Sequence, residues 1–202
     1  SPEQYLDFCR KAGLGCETFT SADIELEVRK CTLGVKANEV VYDHDVLRSQ
    51  IKQAIQNRKN IRVECNAGVV YIRQLDSGFK LDLSSGIYVE SHAVVNSSYA
   101  NINMFAAMLG NTVDERQYEY TVVPVVETDF EPIGIAIMDG SFPSLVPYGQ
   151  KGLSLLYHVE HSVITTEVTD QLNQDWLNPK TAPFQNLDTE TYFENFKKAC
   201  AD

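Results

Sequence analysis

The chain has 202 residues, 44% apolar and 22% charged, which is enough to bury a core and argues against general disorder. Its 28 acidic residues outnumber 17 basic ones for a formal net charge of −11, so a phosphate backbone or an anionic membrane is disfavoured as a partner. No run approaches the roughly 18 apolar residues of a membrane span, and the N-terminal SPEQYLDFCRKAG is polar rather than signal-like, so the sequence reads as a soluble, cytoplasmic chain.

Residues 2–12 carry Tyr5, Leu6, Phe8, Cys9 and Ala12 on one helical face, with Pro2 in the first turn and Gly13 as the stop. Thr20-Ser21-Ala22-Asp23 reads as a capping box opening a short second helix. Residues 46–57 form a third helix, with Val46, Leu47, Ile51, Ala54 and Ile55 as its stripe and Asp43 or Asp45 as its cap. The period then changes. Ile61, Val63 and Cys65 alternate with polar residues, Val69-Val70-Tyr71-Ile72 follows, and Phe79, Leu81 and Leu83 alternate again before a turn at Ser84-Ser85-Gly86 and extended chain from Ile87. This predicts a β-meander. The run Ala93-Val94-Val95 suits a buried strand, and residues 102–109 suit a helix closed by Gly110. Residues 118–126, 133–138, 144–147 and 153–159 read as four antiparallel strands separated by turn signals. The tail turns apolar again only at Tyr192, Phe193 and Phe196, at helical spacing. The class is therefore α+β, in two layers with a soft seam near residues 110–117.

Few motifs carry chemistry. The one GxG, Gly13-Leu14-Gly15, follows a helix and has Thr18 where a third glycine belongs, so it reads as a helix cap rather than a dinucleotide loop. The five cysteines include no CxxC pair and read as reduced thiols. His158 and His161, three apart near the end of a strand, fall on opposite faces, so no metal site is expected of them. No catalytic residue is singled out by spacing. Tyr118, Tyr120, Phe142, Tyr148 and Tyr157 mark one face of a sheet or a wall of a small-molecule pocket.

Two stretches resemble a known family. One is VVYDHDVLRSQIKQAIQNRKNIRVECNAGVVYIRQLDSGFKLDLSSGIYVESHAVVNSSYANIN, and the other is YEYTVVPVVE followed by GIAIMDGSFPSLVPYGQKGLSLLYHVEHSVI. They resemble FAD-dependent oxidoreductases of the D-amino-acid-oxidase class (glycine oxidase, sarcosine oxidase), and most closely a branch that reads NCTYSGIN where this chain has NSSYANIN. The likeness covers about residues 1–165. It implies that residues 1–110 are helices and meander from the middle of an FAD-binding domain. Residues 111–202 would be an antiparallel-sheet substrate domain with a C-terminal helix. Val69 stands at the valine that faces the adenine, and Asn96 and Ser97 on the strand returning toward the flavin. Tyr120, Met138, Tyr148 and His158 are the expected substrate-side residues, His158 the most chemical of them. The implied reaction is oxidation of an amine- or hydroxyl-bearing carbon of a small molecule such as an amino acid, a hydroxy acid or a sugar derivative. The glycine-rich strand–turn–helix of the family and its closing C-terminal segment are absent from the sequence. The expectation is thus an internal fragment that holds FAD poorly and is inactive alone. A non-catalytic ligand-binding or oligomerisation module is the alternative, with self-association into a homo-oligomer as its mark.

Overall fold

The structure is a computed structural model that describes residues 2–20, 23, 28–37, 40–138, 143–149 and 152–201. The class is α+β, and every strand pairing among these residues is antiparallel. The chain forms two compact units. One comprises Ser1–Gln53, Val123–Ser162 and Asp188–Asp202, the other Ala54–Val122 and Val163–Leu187. No helix among the described residues is long and apolar enough to cross a membrane.

In the first unit, α1 (Pro2–Lys11) ends where the sequence places its stop. Gly13 sits at φ 69°, Leu14 N–H donates to the Cys9 carbonyl (2.9 Å) and Gly13 N–H to the Arg10 carbonyl (3.3 Å). This Schellman closure reverses the chain, because only glycine enters the left-handed region without a Cβ penalty. The reversed chain becomes β1 (Cys16–Phe19), which pairs with β2 (Gly34–Ala37). Beyond β1, the Thr20 N–H and hydroxyl both donate to one Asp23 carboxylate oxygen (2.7 and 3.0 Å), which is half of a capping box; the Asp23 N–H goes to the Thr20 carbonyl (2.9 Å) and not to its hydroxyl. The helix expected after it falls at 24–27, outside the described residues.

Helix α2 (His44–Gln56) starts at the expected cap, and Asp43 takes that role: its carboxylate accepts from the N–H groups of Asp45 and Val46 at 2.9 and 3.1 Å. The stripe of α2 is not buried, with Val46, Leu47 and Ile51 at 51%, 40% and 50% exposure. Strands β7 (Val125–Glu127), β8 (Ile135–Ala136), β9 (Pro143–Pro147) and β10 (Leu153–His158) form one sheet in the order β7-β10-β9-β8. Helix α4 (Thr189–Ala201) buries Tyr192 and Phe196, as their spacing predicts.

The second unit contains the meander β3 (Val69–Leu75), β4 (Gly78–Leu83) and β5 (Tyr88–Ser91) in sequential order. Gly78 is obligatory at its turn, since a Cβ there would lie 2.3 Å from the Ser91 carbonyl oxygen. Helix α3 (Ile102–Met108) follows. Strand β6 (Arg116–Thr121) pairs with β11 (Val163–Thr169), and Tyr118, Leu172 and Trp176 form a buried cluster with Ala100 and Tyr120 against it.

Three expectations fail. Residues 61–65 alternate in polarity yet form no strand, and Ile61 and Val63 stay 46% and 59% exposed. Alternation marks a face, but a strand also needs a neighbour for its backbone groups. The run 93–95 is not a strand either. Val95 is 87% exposed, and the chain there is diverted by a Ser91 hydroxyl bonded to the Ala93 carbonyl and by a turn on Asn96. The single strand expected over 118–126 is broken before Pro124, which has no N–H to give a ladder; β6 joins β11 while β7 joins β10.

Candidate functional site

The most promising site lies in the first unit, at the turn from β9 to β10. Tyr148 follows β9, its N–H bonded to the Leu153 carbonyl at 2.9 Å, and Gly149 and Gly152 take positive φ (60° and 84°) to turn the chain. Here the surface opens into a cleft of about 270 Å³ lined by Thr128, Glu131, Tyr148, Gly149, Leu153 and Ser154, among others. Its polar wall includes the Thr128 and Ser154 hydroxyls, 3.4 Å apart, of which Ser154 is buried.

The Tyr148 ring is held by His44, the first residue of α2: the rings stack at 4.7 Å with 19° between planes. His44 Nε2 in turn lies 3.2 Å from an Asp45 carboxylate oxygen. The other Asp45 oxygen is 3.9 Å from where a Cβ on Gly149 would stand, but this exposed carboxylate also faces Arg48 (3.9 Å) and does not line the cleft. Asp43, His44 and Asp45 offer ligand atoms within 4.8 Å of one another, but one Asp43 oxygen is committed to capping α2. With Glu131 also in its lining, the cleft combines an aromatic residue, two hydroxyls and one carboxylate. That set favours a small ligand that is cationic or neutral over an anion.

A second cluster surrounds His158. The sequence places His158 and His161 on opposite faces of a strand, and the structure corrects this. Strand β10 stops at His158, and a turn closed by Ser162 N–H to the His158 carbonyl (2.8 Å) brings His161 back. The two rings lie 4.6 Å apart, and Phe196 of α4 packs against both, at 6.1 and 5.9 Å. His158 is 1% exposed. Its Nδ1 accepts the N–H groups of Glu160 (3.2 Å) and His161 (3.3 Å), which places its proton on Nε2; that atom is buried with no hydrogen-bond partner among the described residues. Burial, and then the neighbouring His161, push its pKa below the usual histidine range.

The remaining candidates are spread out. Met138 is 70% exposed just before the residues that are not described, which include Phe142. Tyr120 belongs to the second unit, half-buried with its ring edge-on to Trp176 (5.9 Å, 87°). In that unit Val69 opens β3 opposite Leu83. Asn96 organises an exposed turn: its side-chain oxygen accepts from the Ser98 N–H (3.2 Å) and hydroxyl (2.6 Å), and its amide donates to the Ile102 carbonyl (3.0 Å). Ser97 is exposed in the same turn, and Tyr99 just beyond it is held at φ 52° with 93% of its surface exposed. A tyrosine held in the left-handed region stores strain.

Comparison with known proteins adds no relative: no family model, no curated protein and no solved structure matches the chain.

Nothing in the sequence marks the His44–Tyr148 stack, which joins two residues far apart in the chain. Nor did it mark Asn103, a buried amide that donates to the carbonyls of Asp114 (2.9 Å) and Asp170 (2.8 Å) and accepts from Arg116 Nε (3.2 Å). An asparagine on a short apolar helix looks like any exposed polar residue until its partners are known.

Proposed function

We propose that this chain is the substrate-side part of an FAD-dependent oxidoreductase that oxidises an amine-bearing carbon, or less readily a hydroxyl-bearing one, of a small molecule. The observation that carries the reading is the cleft beside Tyr148. Tyr148, Gly149, Gly152, Leu153 and Ser154 of its lining belong to MDGSFPSLVPYGQKGLSLLYHV, the segment that most resembles the substrate sheet of such enzymes, and its tyrosine and the Glu131 carboxylate suit a compact ammonium. The β3-β4-β5 meander that begins at Val69 supports it from the cofactor side.

The described residues do not supply a seat for the FAD pyrophosphate. Gly13-Leu14-Gly15 closes α1 instead of leading from a strand into a helix N-terminus. What these residues contribute is binding: Tyr148 provides a stacking face fixed by His44, Glu131 draws in positive charge, and the Thr128 and Ser154 hydroxyls offer orienting hydrogen bonds. The reading is tested on the full-length gene product by anaerobic addition of small amines, amino acids and hydroxy acids. Bleaching of visible flavin bands by an amine supports it, and a colourless, inert protein overturns it.

A non-catalytic oligomerisation module is the second reading, favoured by the exposed Val46, Leu47 and Ile51 stripe of α2. Light scattering that shows a stable dimer with no flavin would favour it.

A further inference from the structure

Charge in the cleft beside Tyr148 is one-sided. Among the described residues of its lining, Glu131 supplies a carboxylate, and no lysine, arginine or histidine stands opposite it. Two lining N–H groups that could otherwise hold an anion are committed to the backbone. Thr128 N–H donates to the Gly152 carbonyl (2.8 Å), and Tyr148 N–H donates to the Leu153 carbonyl (2.9 Å). The Thr128 and Ser154 hydroxyls lie 3.4 Å apart, within reach of one another. Pro132, Pro147 and Leu153 form the apolar part of the lining. With the cleft read as the substrate side, as above, we propose that its substrate class is the short aliphatic amine without a carboxylate, in preference to the amino acid.

An amino acid carries an ammonium and a carboxylate on one carbon. Its ammonium suits Glu131 and the two hydroxyls, but its carboxylate leaves water for a lining that offers neither a counter-charge nor those two backbone donors. A charged group moved from water without a partner weakens binding. A cleft of about 270 Å³ also keeps the ligand carboxylate close to Glu131, and like charges repel. Glu131 is exposed, so solvent screens this repulsion without abolishing it. An amine with a plain alkyl group meets neither penalty, and its alkyl part suits the prolines and the leucine. An alcohol of the same skeleton loses the attraction of Glu131 but brings no unmatched charge, so it falls between the amine and the carboxylate.

The test titrates isobutylamine, valine, isobutanol and isobutyrate into the native chain, with no flavin added. Binding is followed by nuclear magnetic resonance at the backbone amides of Thr128, Tyr148, Gly149 and Gly152. Lys151, between Gly149 and Gly152 in sequence, lies outside the described residues, and the native chain carries it, so the measured selectivity includes its effect. The expected result is a saturable shift of these amides by isobutylamine, with valine at least about tenfold weaker and isobutyrate without effect. Glu131→Gln should lower the amine affinity by about three- to tenfold and narrow its advantage over valine. Valine or isobutyrate bound as tightly as isobutylamine overturns the proposal. So does an amine response that never saturates at these amides, or an amine affinity unchanged in Glu131→Gln. Selective amine binding by a full-length protein that carries no flavin would leave this selectivity standing and overturn the oxidoreductase reading. Flavin bleached by valine as readily as by isobutylamine would do the reverse.

Discussion

The rings of His158 and His161 lie 4.6 Å apart and tilted by 36°, with His158 Nδ1 accepting two backbone N–H groups from the turn that carries His161. A proton on that nitrogen would expel both donors and charge a buried ring. The unfolded chain takes up this proton near pH ~6.5, and the folded ring only at lower pH. Stability from His158 is thus complete above about pH 6.5 and is lost as pH falls toward the folded value. Melting temperature measured against pH should decline across that acid range. His158→Asn, whose side-chain oxygen can accept from the same turn, should flatten the decline while lowering stability at neutral pH.

Phe196 is the largest side chain buried below 2% exposure, and it packs on His158, His161 and Tyr192. Phe196→Ala should cost about 3–5 kcal/mol by chemical denaturation. The same environment pushes the Tyr192 hydroxyl up to about 12. Tyr192 should therefore resist alkaline ionisation in an ultraviolet titration until α4 detaches.

Asn103 ties three stretches of the second unit together through Asp114, Arg116 and Asp170. Asn103→Ala leaves two backbone carbonyls without that donor and should destabilise by about 2–4 kcal/mol. Asn103→Asp should be no better, since a carboxylate cannot donate to either carbonyl.

Tyr99 makes the opposite case. It is exposed and held at φ 52°, so Tyr99→Gly should stabilise the chain by about 1 kcal/mol in denaturant titrations. A fall in stability would mean that the ring makes a contact worth more than the strain it tolerates.

The elements that could be read from the sequence are those whose cause is local. Residues 2–12 announce α1 by their stripe, proline and glycine, and Asp43 announces the start of α2. The alternation of Phe79, Leu81 and Leu83 before the Ser84-Ser85-Gly86 turn announces the meander, and Phe196 at helical spacing announces α4. What stayed hidden is set by distant partners. The β-branched run of β11 chooses β6, from more than forty residues away (163 − 121), over the adjacent β10. Val95 looks buried by its neighbours in sequence and is exposed in space. The candidate cleft was half legible: Tyr148 could be singled out, but His44 reaches its ring only through the placement of α2.

The role of Tyr148 decides the central claim. In the full-length gene product, the rate of anaerobic flavin bleaching should be followed against the concentration of the best amine substrate, for the native protein and for Tyr148→Ala. The expected result is a loss of apparent affinity of about tenfold, the worth of one aromatic contact, with the limiting rate less affected. An unchanged affinity, or a native protein that carries no flavin to bleach, contradicts the assignment of this cleft as the substrate side of a flavin-dependent oxidoreductase.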